Sequence, residues 1–474
     1  MSDLDLCYMS ASEALQHFKA KTLSPVDLMQ AVIDRAEQVQ PQVNAFAHCH
    51  YDEAMDQARR AEARYQQGNG NLRPLEGLPI GLKDEAGWQD HPVTVGSLLL
   101  KDEIARENTP TTERVLESGA IIHAQTTVPE FCCASVTWSR LWGVTHSPWN
   151  LNLTCGGSSG GSGAALASGM TTLATGSDIG GSIRIPAACS GVVGFKPPYG
   201  RNPSEMVFNL DRYNHNGPMA RSVADCALLQ NTMSGPHPKD IASLRPKLDL
   251  PTTFAGIKGW RIAYSEDLGY FRVSDEMRRH LREVAAALRA AGAIVEEVKL
   301  DWNKDVIKAA QIHLGGMFGG WISQFLDRRE DMTTYARHFA ETGTDITTRD
   351  LLTGTEIEGR MYVALSEVFA KYQALICPTL ADTPIKADFD PTKDQAMIAG
   401  QPGDWLFDWC MTYPFNAMSR CPVLVVPFQQ TSSGIPFGVQ IVGQTFDDVS
   451  VFRIGAALED QSPWYHRKDR RPSL

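Results

Sequence analysis

The stretch "TCGGSSGGSGAALASGM" (residues 154–170) sets Ser158 and Ser159 between paired glycines, directly ahead of an Ala-rich run. Taken alone it fits three patterns. A phosphate loop needs a lysine after its second glycine, but Ser162 follows Gly161. An esterase elbow, G-x-S-x-G, is matched by Gly156, Ser158 and Gly160. Histidines at 215, 237, 280, 313, 338 and 466 could then complete a triad, but a second glycine-flanked serine, Ser182, would be left without a role. A flexible linker conflicts with the helical sequence that begins at once.

Two neighbouring stretches supply a chemistry that uses every part. A serine hydroxyl is a weak nucleophile and needs a base. A lysine can serve where burial disfavours its charged form, and Lys83 in "IGLKDE" (80–85) follows an apolar run. A second hydroxyl can relay the proton, since it both donates and accepts. The glycines of "GSDIGGSIRIP" (176–186) can aim successive N–H groups at one oxyanion with little side-chain bulk in the way.

Working outward, Ser10 and Glu13 fit a capping box, and Ser24 with Pro25 opens "LSPVDLMQAVIDRAEQV" as a helix. Residues 51–68 form a charged amphipathic helix closed by Gly68. Helix and strand signals then alternate: "TTERVLESGA" helix, "IIHAQT" strand, "PEFCCA" turn, "GAALASGM" helix, "TTLATGSD" strand. A strand–helix–strand unit spans 260–299, and "CPVLVVPF" and "PFGVQIVG" flank a Ser-Ser-Gly turn before a closing helix, "VSVFRIGAALED". The pattern predicts an α/β fold: a single large mixed sheet covered by helices on both sides. We expect one domain over 1–474, with an N-terminal helical part at about 1–70 and a variable, mainly helical, substrate-shaping insertion at about 303–410.

Composition narrows the function classes. The chain has 474 residues, 43% hydrophobic and 21% charged, with a formal net charge of −11. No basic stripe suggests nucleic acid, and the basic tail at 466–472 is short. No leader and no long apolar run is evident, so a cytoplasmic protein without membrane contact is expected. The ten cysteines form no C-x-x-C pair, so core thiols are expected rather than zinc ligands.

Together, Lys83, "GGSSGGS" and "GSDIGGSIRIPA" resemble the amidase signature family of serine hydrolases. The resemblance extends to "LSPVDLMQAVIDRAEQVQPQVNAF", "PLEGLPIGLKD", "TTVPEF", "SPWN", "GVVGFKPPYGR", "GPMARSVADCALL", "ICPT" and "GIPFGVQIVGQTFDD". It implies the amidase signature fold and a Ser–cis-Ser–Lys triad: Ser182 as acyl-forming nucleophile, Ser158 as relay with a cis peptide bond, and Lys83 as general base and acid. The N–H groups of Ile179, Gly180, Gly181 and Ser182 would form the oxyanion hole, supported by Ser159, Asp178 and Arg184, although the last two could equally be only a structural pair. Cys132 and Cys133 fall where the family's "PEF" turn lines the acyl pocket. Trp138, Phe318 and Trp321 are further candidate substrate contacts, and Trp142, Trp405 and Trp409 are aromatics that could equally belong to the core.

The implied reaction is hydrolysis of a carboxylic amide without metal or organic cofactor, on a small aryl or aliphatic amide, with esters and carbamates open to the same chemistry. A homodimer is implied by the same likeness. Two alternatives remain at this point. One is the glutaminase component of a tRNA-dependent amidotransferase, although Ile185 stands where that subgroup would carry glutamine. The other is a non-catalytic binding protein, which the joint presence of Lys83, Ser158 and Ser182 opposes. The chain departs from many relatives at Glu85 (Asn), Cys155 (Pro) and Pro198 (Thr), which leaves the subgroup and its pocket open.

Overall fold

The computed structural model describes residues 3–68, 71–465 and 467–474. Residues 1–2 and 69–70, at the ends of the N-terminal helical part, and His466 lie outside them. Among the described residues, eleven strands form one sheet: β1 (Phe46–Cys49), β2 (Pro79–Lys83), β3 (Ile121–Thr126), β4 (Leu173–Ser177), β5 (Val193–Lys196), β6 (Asn216–Ala220), β7 (Arg261–Tyr264), β8 (Ile294–Glu297), β9 (Ala374–Pro378), β10 (Val423–Gln430) and β11 (Pro436–Gly443). Their spatial order is β1-β3-β2-β4-β6-β5-β10-β11-β9-β7-β8. The sheet is mixed. β2 runs parallel to β3 and to β4, and β7 runs parallel to β8 and to β9. The other pairings are antiparallel.

The central strands have apolar residues on both faces because both faces are covered. Helices α1 (Pro25–Val43) and α2 (Tyr51–Gln67) belong to the N-terminal part; Ser24 Oγ accepts from Val26 N (3.0 Å), and Gly68 closes α2 with a left-handed φ of 65°. α3 (Gly160–Ala167) and α4 (Arg184–Ser190) follow the two glycine–serine stretches. α5 (Asp275–Ala290) lies between β7 and β8 in the chain. Along β10 the side chains alternate: Leu424 and Val426 point at Gly455 of α6 (Asp448–Gln461), whereas Val425 lies on the face where Gly438 of β11 meets Ala188 of α4. These two helices therefore press on opposite faces of the same hairpin.

The stretch 303–410 is not helical throughout. Helices occupy much of 305–369, including the 22-residue helix Thr348–Phe369, but β9 then enters the sheet between β11 and β7. A small hairpin (Ala396–Ile398 with Gln401–Gly403) follows. The apolar "ALICP" is buried at every position. A short fully buried strand has no alternation to distinguish it from helix, which is why it is absorbed into the helical expectation. Among the described residues, no helix is long and apolar enough to cross a membrane, and the ten cysteines are free thiols.

Phe195 on β5 is fully buried and packs edge-on against Phe452 of α6, with ring centroids 4.7 Å apart. Phe195→Ala removes this contact between sheet and helix and is expected to cost about 3–5 kcal/mol in urea unfolding, with Phe195→Leu costing less.

Candidate active site

Lys83 is the last residue of β2, a strand buried at every position between its parallel neighbours β3 and β4. Because β2 and β4 run parallel, their carboxyl ends share one edge, the usual place for a site in such sheets. Lys83 Nζ, 1% exposed, reaches Ser177 Oγ at the end of β4 (2.8 Å) and Ser158 Oγ (2.8 Å). Glu85 Oε1 stands 3.3 Å from the same nitrogen. The next residue, Asp84, is also buried, which pushes its carboxyl up to about 6; it accepts from Thr94 N (3.0 Å) and Thr94 Oγ1 and so ties down the loop beyond the strand.

Ser158 follows a cis peptide bond at Gly157–Ser158, just before α3. Ser159 N donates to Ser182 O (3.1 Å), which fastens the first glycine–serine stretch against the second. Ser159 Oγ accepts from Ser177 N (3.3 Å) and donates to Ser177 O (3.4 Å). The glycines permit this closeness: a β-carbon on Gly157 would strike the carbonyl oxygens of Ala134 and Val136. Ser182 Oγ makes no hydrogen bond among the described residues and faces a cleft.

The turn before Ser182 presents the N–H groups of Ile179, Gly180, Gly181 and Ser182, none of which has an acceptor among the described residues. Its shape is set from below. Gly181 has φ +133°, and a β-carbon there would collide with Thr412. Thr412 Oγ1 donates to Gly180 O (2.7 Å). Asp178 and Arg184 bracket the turn in a fully buried two-point pair, Nε–Oδ2 2.9 Å and Nη2–Oδ1 2.8 Å. Arg184 also donates to Thr412 O (2.7 Å), Gln440 Oε1 (2.8 Å) and Asn416 Oδ1 (2.7 Å), and Asn416 Nδ2 donates to Asp178 Oδ1 (2.8 Å). Burial alone would raise Asp178, but the Arg184 guanidinium overrides it and holds the carboxyl well below the usual range.

Two clefts meet beside these groups and share Cys132, Ile179 and Phe318. The larger one, outer only in that Ser182 does not line it, has about 160 Å³ and is bordered by Ser158, Ser177, Glu85, Glu205, Phe208 and Trp321. The inner one, about 30 Å³, is bordered by Ser182, Gly180, Cys133, Ile185 and Leu314 and has no charged residue. Cys132, Cys133, Phe318 and Trp321 thus line the clefts. Burial pushes the Cys132 thiol well above its usual value, Glu85 adding to the shift, so it is held protonated. Trp138 is not brought to either cleft: its ring packs on Tyr335 (4.9 Å) and its Nε1 donates to Phe389 O (2.8 Å). Trp409 is buried in the core, and Trp142 and Trp405 also lie away from the clefts.

No histidine among the described residues bonds to Ser158 or Ser182. His215 bonds backbone carbonyls of Asp178 and Ser419, while His237, His280 and His313 pair with Glu113, Glu283 and Asp211. Among the described residues the elbow reading therefore finds no base, and His466 lies outside them. Among the described residues, no group of three or more His, Cys, Asp or Glu is placed to hold a metal ion. Sequence reasoning does not single out Ser177, Thr412, Asn416, Gln440 or Glu205. Ser177 could have been found from its place beside Asp178 in the second motif; the others lie far along the chain and carry no local signal.

A carboxyl held low adds stability that is present above its unfolded value of ~3.9 and is lost as the pH falls toward the folded value. Arg184→Met strands Asp178 in the interior and is expected to cost about 3–5 kcal/mol near neutral pH in urea unfolding. The gap between wild type and variant is expected to narrow below about pH 4, where Asp178 in the unfolded chain is protonated.

The family model "Amidase" matches residues 27–452. An acylamidase of Rhodococcus erythropolis is 31% identical over 478 residues, covering 99% of this chain and 98% of its own. One component of the glutamyl-tRNA(Gln) amidotransferase of Chloroflexus aggregans is 31% identical over 492 residues, with 99% of each chain covered. The crystal structure of a bacterial aryl acylamidase of the amidase signature enzymes superimposes with a TM-score of 0.91 at 30% identity, over 98% of this chain and 99% of that one. With its eleven-stranded mixed sheet and its glycine–serine turns, the chain belongs to the amidase signature family of hydrolases.

Proposed function

We propose that this protein hydrolyses the C–N bond of small aryl or aliphatic carboxylic amides through an acyl-enzyme on Ser182. The observation that carries the reading is the buried Lys83 Nζ, 2.8 Å from Ser158 Oγ, beside a turn whose N–H groups have no acceptor among the described residues. In this reading Lys83 takes a proton from Ser158 as Ser158 takes one from Ser182. Ser182 Oγ then bonds to the amide carbon. Negative charge moves to the carbonyl oxygen, where the N–H groups of residues 179–182 receive it; one such donor is typically worth about 100–1,000-fold in rate. Collapse breaks the C–N bond, and the relay returns a proton to the departing nitrogen. Water then enters by the same relay and releases the acid. Esters and carbamates fit the same acyl-transfer steps.

The roles assign the clefts. The nitrogen must lie near Ser158, which borders the outer cleft; the oxygen must lie at the turn. The acyl carbon chain is left with the inner cleft beside Ser182, whose size favours a short acyl group. The likeness to an amidotransferase component favours glutaminase activity as a second reading. A glutamyl chain would place an ammonium and a carboxylate in a cleft that offers no charged partner, and Ile185 borders it where glutamine is expected.

Intact-mass measurement after mixing with short-chain anilides and alkylamides tests the main reading. A mass increase equal to the acyl group is expected on the wild type and not on Ser182→Ala, whose turnover should fall roughly 10⁴–10⁶-fold. An adduct that persists in Ser182→Ala would move the nucleophile elsewhere. Ammonia release from glutamine by the isolated chain, with no adduct from the amides, would favour the second reading.

A further inference from the structure

The outer cleft has a charge pattern that the hydrolysis of a neutral amide does not need. Its lining holds two charged side chains, Glu85 and Glu205, both carboxylates. Glu85 already has a basic partner, Lys83 Nζ at 3.3 Å. Glu205 has none: no lysine or arginine among the described residues pairs with it, and its side-chain partner is Asn216 Nδ2 at 3.5 Å. A carboxylate facing a cavity without a cation is an incomplete ion pair. Burial first, then the nearby Glu85 carboxylate, push the Glu205 carboxyl up to about 7, and a cation seated beside it would favour the ionised form.

A second feature of the same cleft is independent of the carboxylates. Phe208, Phe318 and Trp321 form a joined aromatic wall, with Phe208 5.4 Å from Phe318 and 5.5 Å from Trp321. Aromatic faces attract cations as well as apolar groups. The inner cleft has Phe318 and Phe339 in its lining but no charged side chain, and it is small. The asymmetry falls on the amine side of the scissile bond, because the outer cleft borders Ser158, the group that returns the proton to nitrogen.

We propose that the outer cleft recognises a protonated amine, and that the protein cleaves short-acyl amides whose amine half carries a second, cationic nitrogen, as in a mono-N-acylated diamine. Glu205 pairs with that ammonium and the aromatic wall covers the connecting methylenes. The cleaved bond is the amide C–N bond; the acyl group passes to Ser182 and then to water, and the leaving nitrogen takes the relayed proton to depart as the free diamine. This inference rests on the amidase reading and specifies its substrate.

The test compares kcat/KM of the full chain on mono-N-acetyl-diaminobutane, N-butylacetamide and acetanilide. The diamine derivative is expected to exceed its neutral counterpart by roughly 10- to 100-fold, and Glu205→Gln is expected to bring that ratio close to one. Free diaminobutane should inhibit the wild-type protein competitively at lower concentration than butylamine, a readout independent of how the variant folds. Preference for acetanilide or N-butylacetamide, with a ratio that Glu205→Gln does not move and no selective inhibition by the diamine, overturns the inference and leaves the amidase reading intact. No release of amine from any of the three, with no adduct on Ser182, overturns both.

Discussion

Asp178 and Arg184 meet in the interior with no solvent contact and bracket the turn that leads into Ser182. The guanidinium joins its carboxylate to Thr412, Asn416 and Gln440, which lie more than two hundred residues further along the chain. Bringing two charges into a dry interior is costly unless every donor and acceptor is met. That requirement fixes where the seven-residue segment 178–184 runs. With both ends pinned, the turn has no freedom to fold its amides onto its own carbonyls, and Thr412 holds the Gly180 carbonyl away. The N–H groups of residues 179–182 are left without an acceptor among the described residues, and Ile179, Gly180 and Ser182 border the inner cleft.

The sheet places the other half of the site. Parallel β2 and β4 bring Lys83 and Ser177 to one edge, and burial on both faces of β2 leaves the lysine no path to solvent. Its neighbours are two serine hydroxyls and one carboxylate, Glu85. The first glycine–serine stretch must then lie within hydrogen-bond reach of both the lysine and the Ser182 backbone. Positions 157 and 181 are glycine because a β-carbon at either would strike atoms already in place. Fold and site thus depend on one set of close approaches. The two clefts follow from it: a small apolar one where the turn meets the Glu130–Cys132 segment, and a larger, negatively charged one bordered by Ser158.

Much of this is legible in the order of residues. Ser24 and Pro25, the Gly68 stop, and the alternation from 111 to 200 mark local structure through capping, turn chemistry and period, and these signals need no partner. The glycine–serine motifs are legible because their composition is unusual over a short span. Contacts made by distant segments are not legible. Nothing near Thr412, Asn416 or Gln440 marks them as partners of Arg184. Trp138 and Trp321 look alike as tryptophans in aromatic surroundings, yet one packs on Tyr335 and the other walls a cleft. Trp138 meets Tyr335 of the helix Thr334–Gly343, whereas Trp321 sits on the short helix Gly320–Ser323 and packs against Phe131 and Phe208. β9 is hidden for a different reason: five buried residues leave no periodicity to read. Glu205 carries no motif; its meaning comes only from the cavity it faces.

In the proposed mechanism, protons move between Ser182 and Lys83 through Ser158. Rapid-mixing measurement of single-turnover acylation and deacylation, for the wild type and Ser158→Ala on the same amide, tests it most directly. The account predicts that Ser158→Ala still acylates Ser182 but that both steps slow together, because one relay serves attack and release alike. Acylation and deacylation at wild-type rates in Ser158→Ala, or a wild-type adduct carried by Ser158 itself, would contradict it.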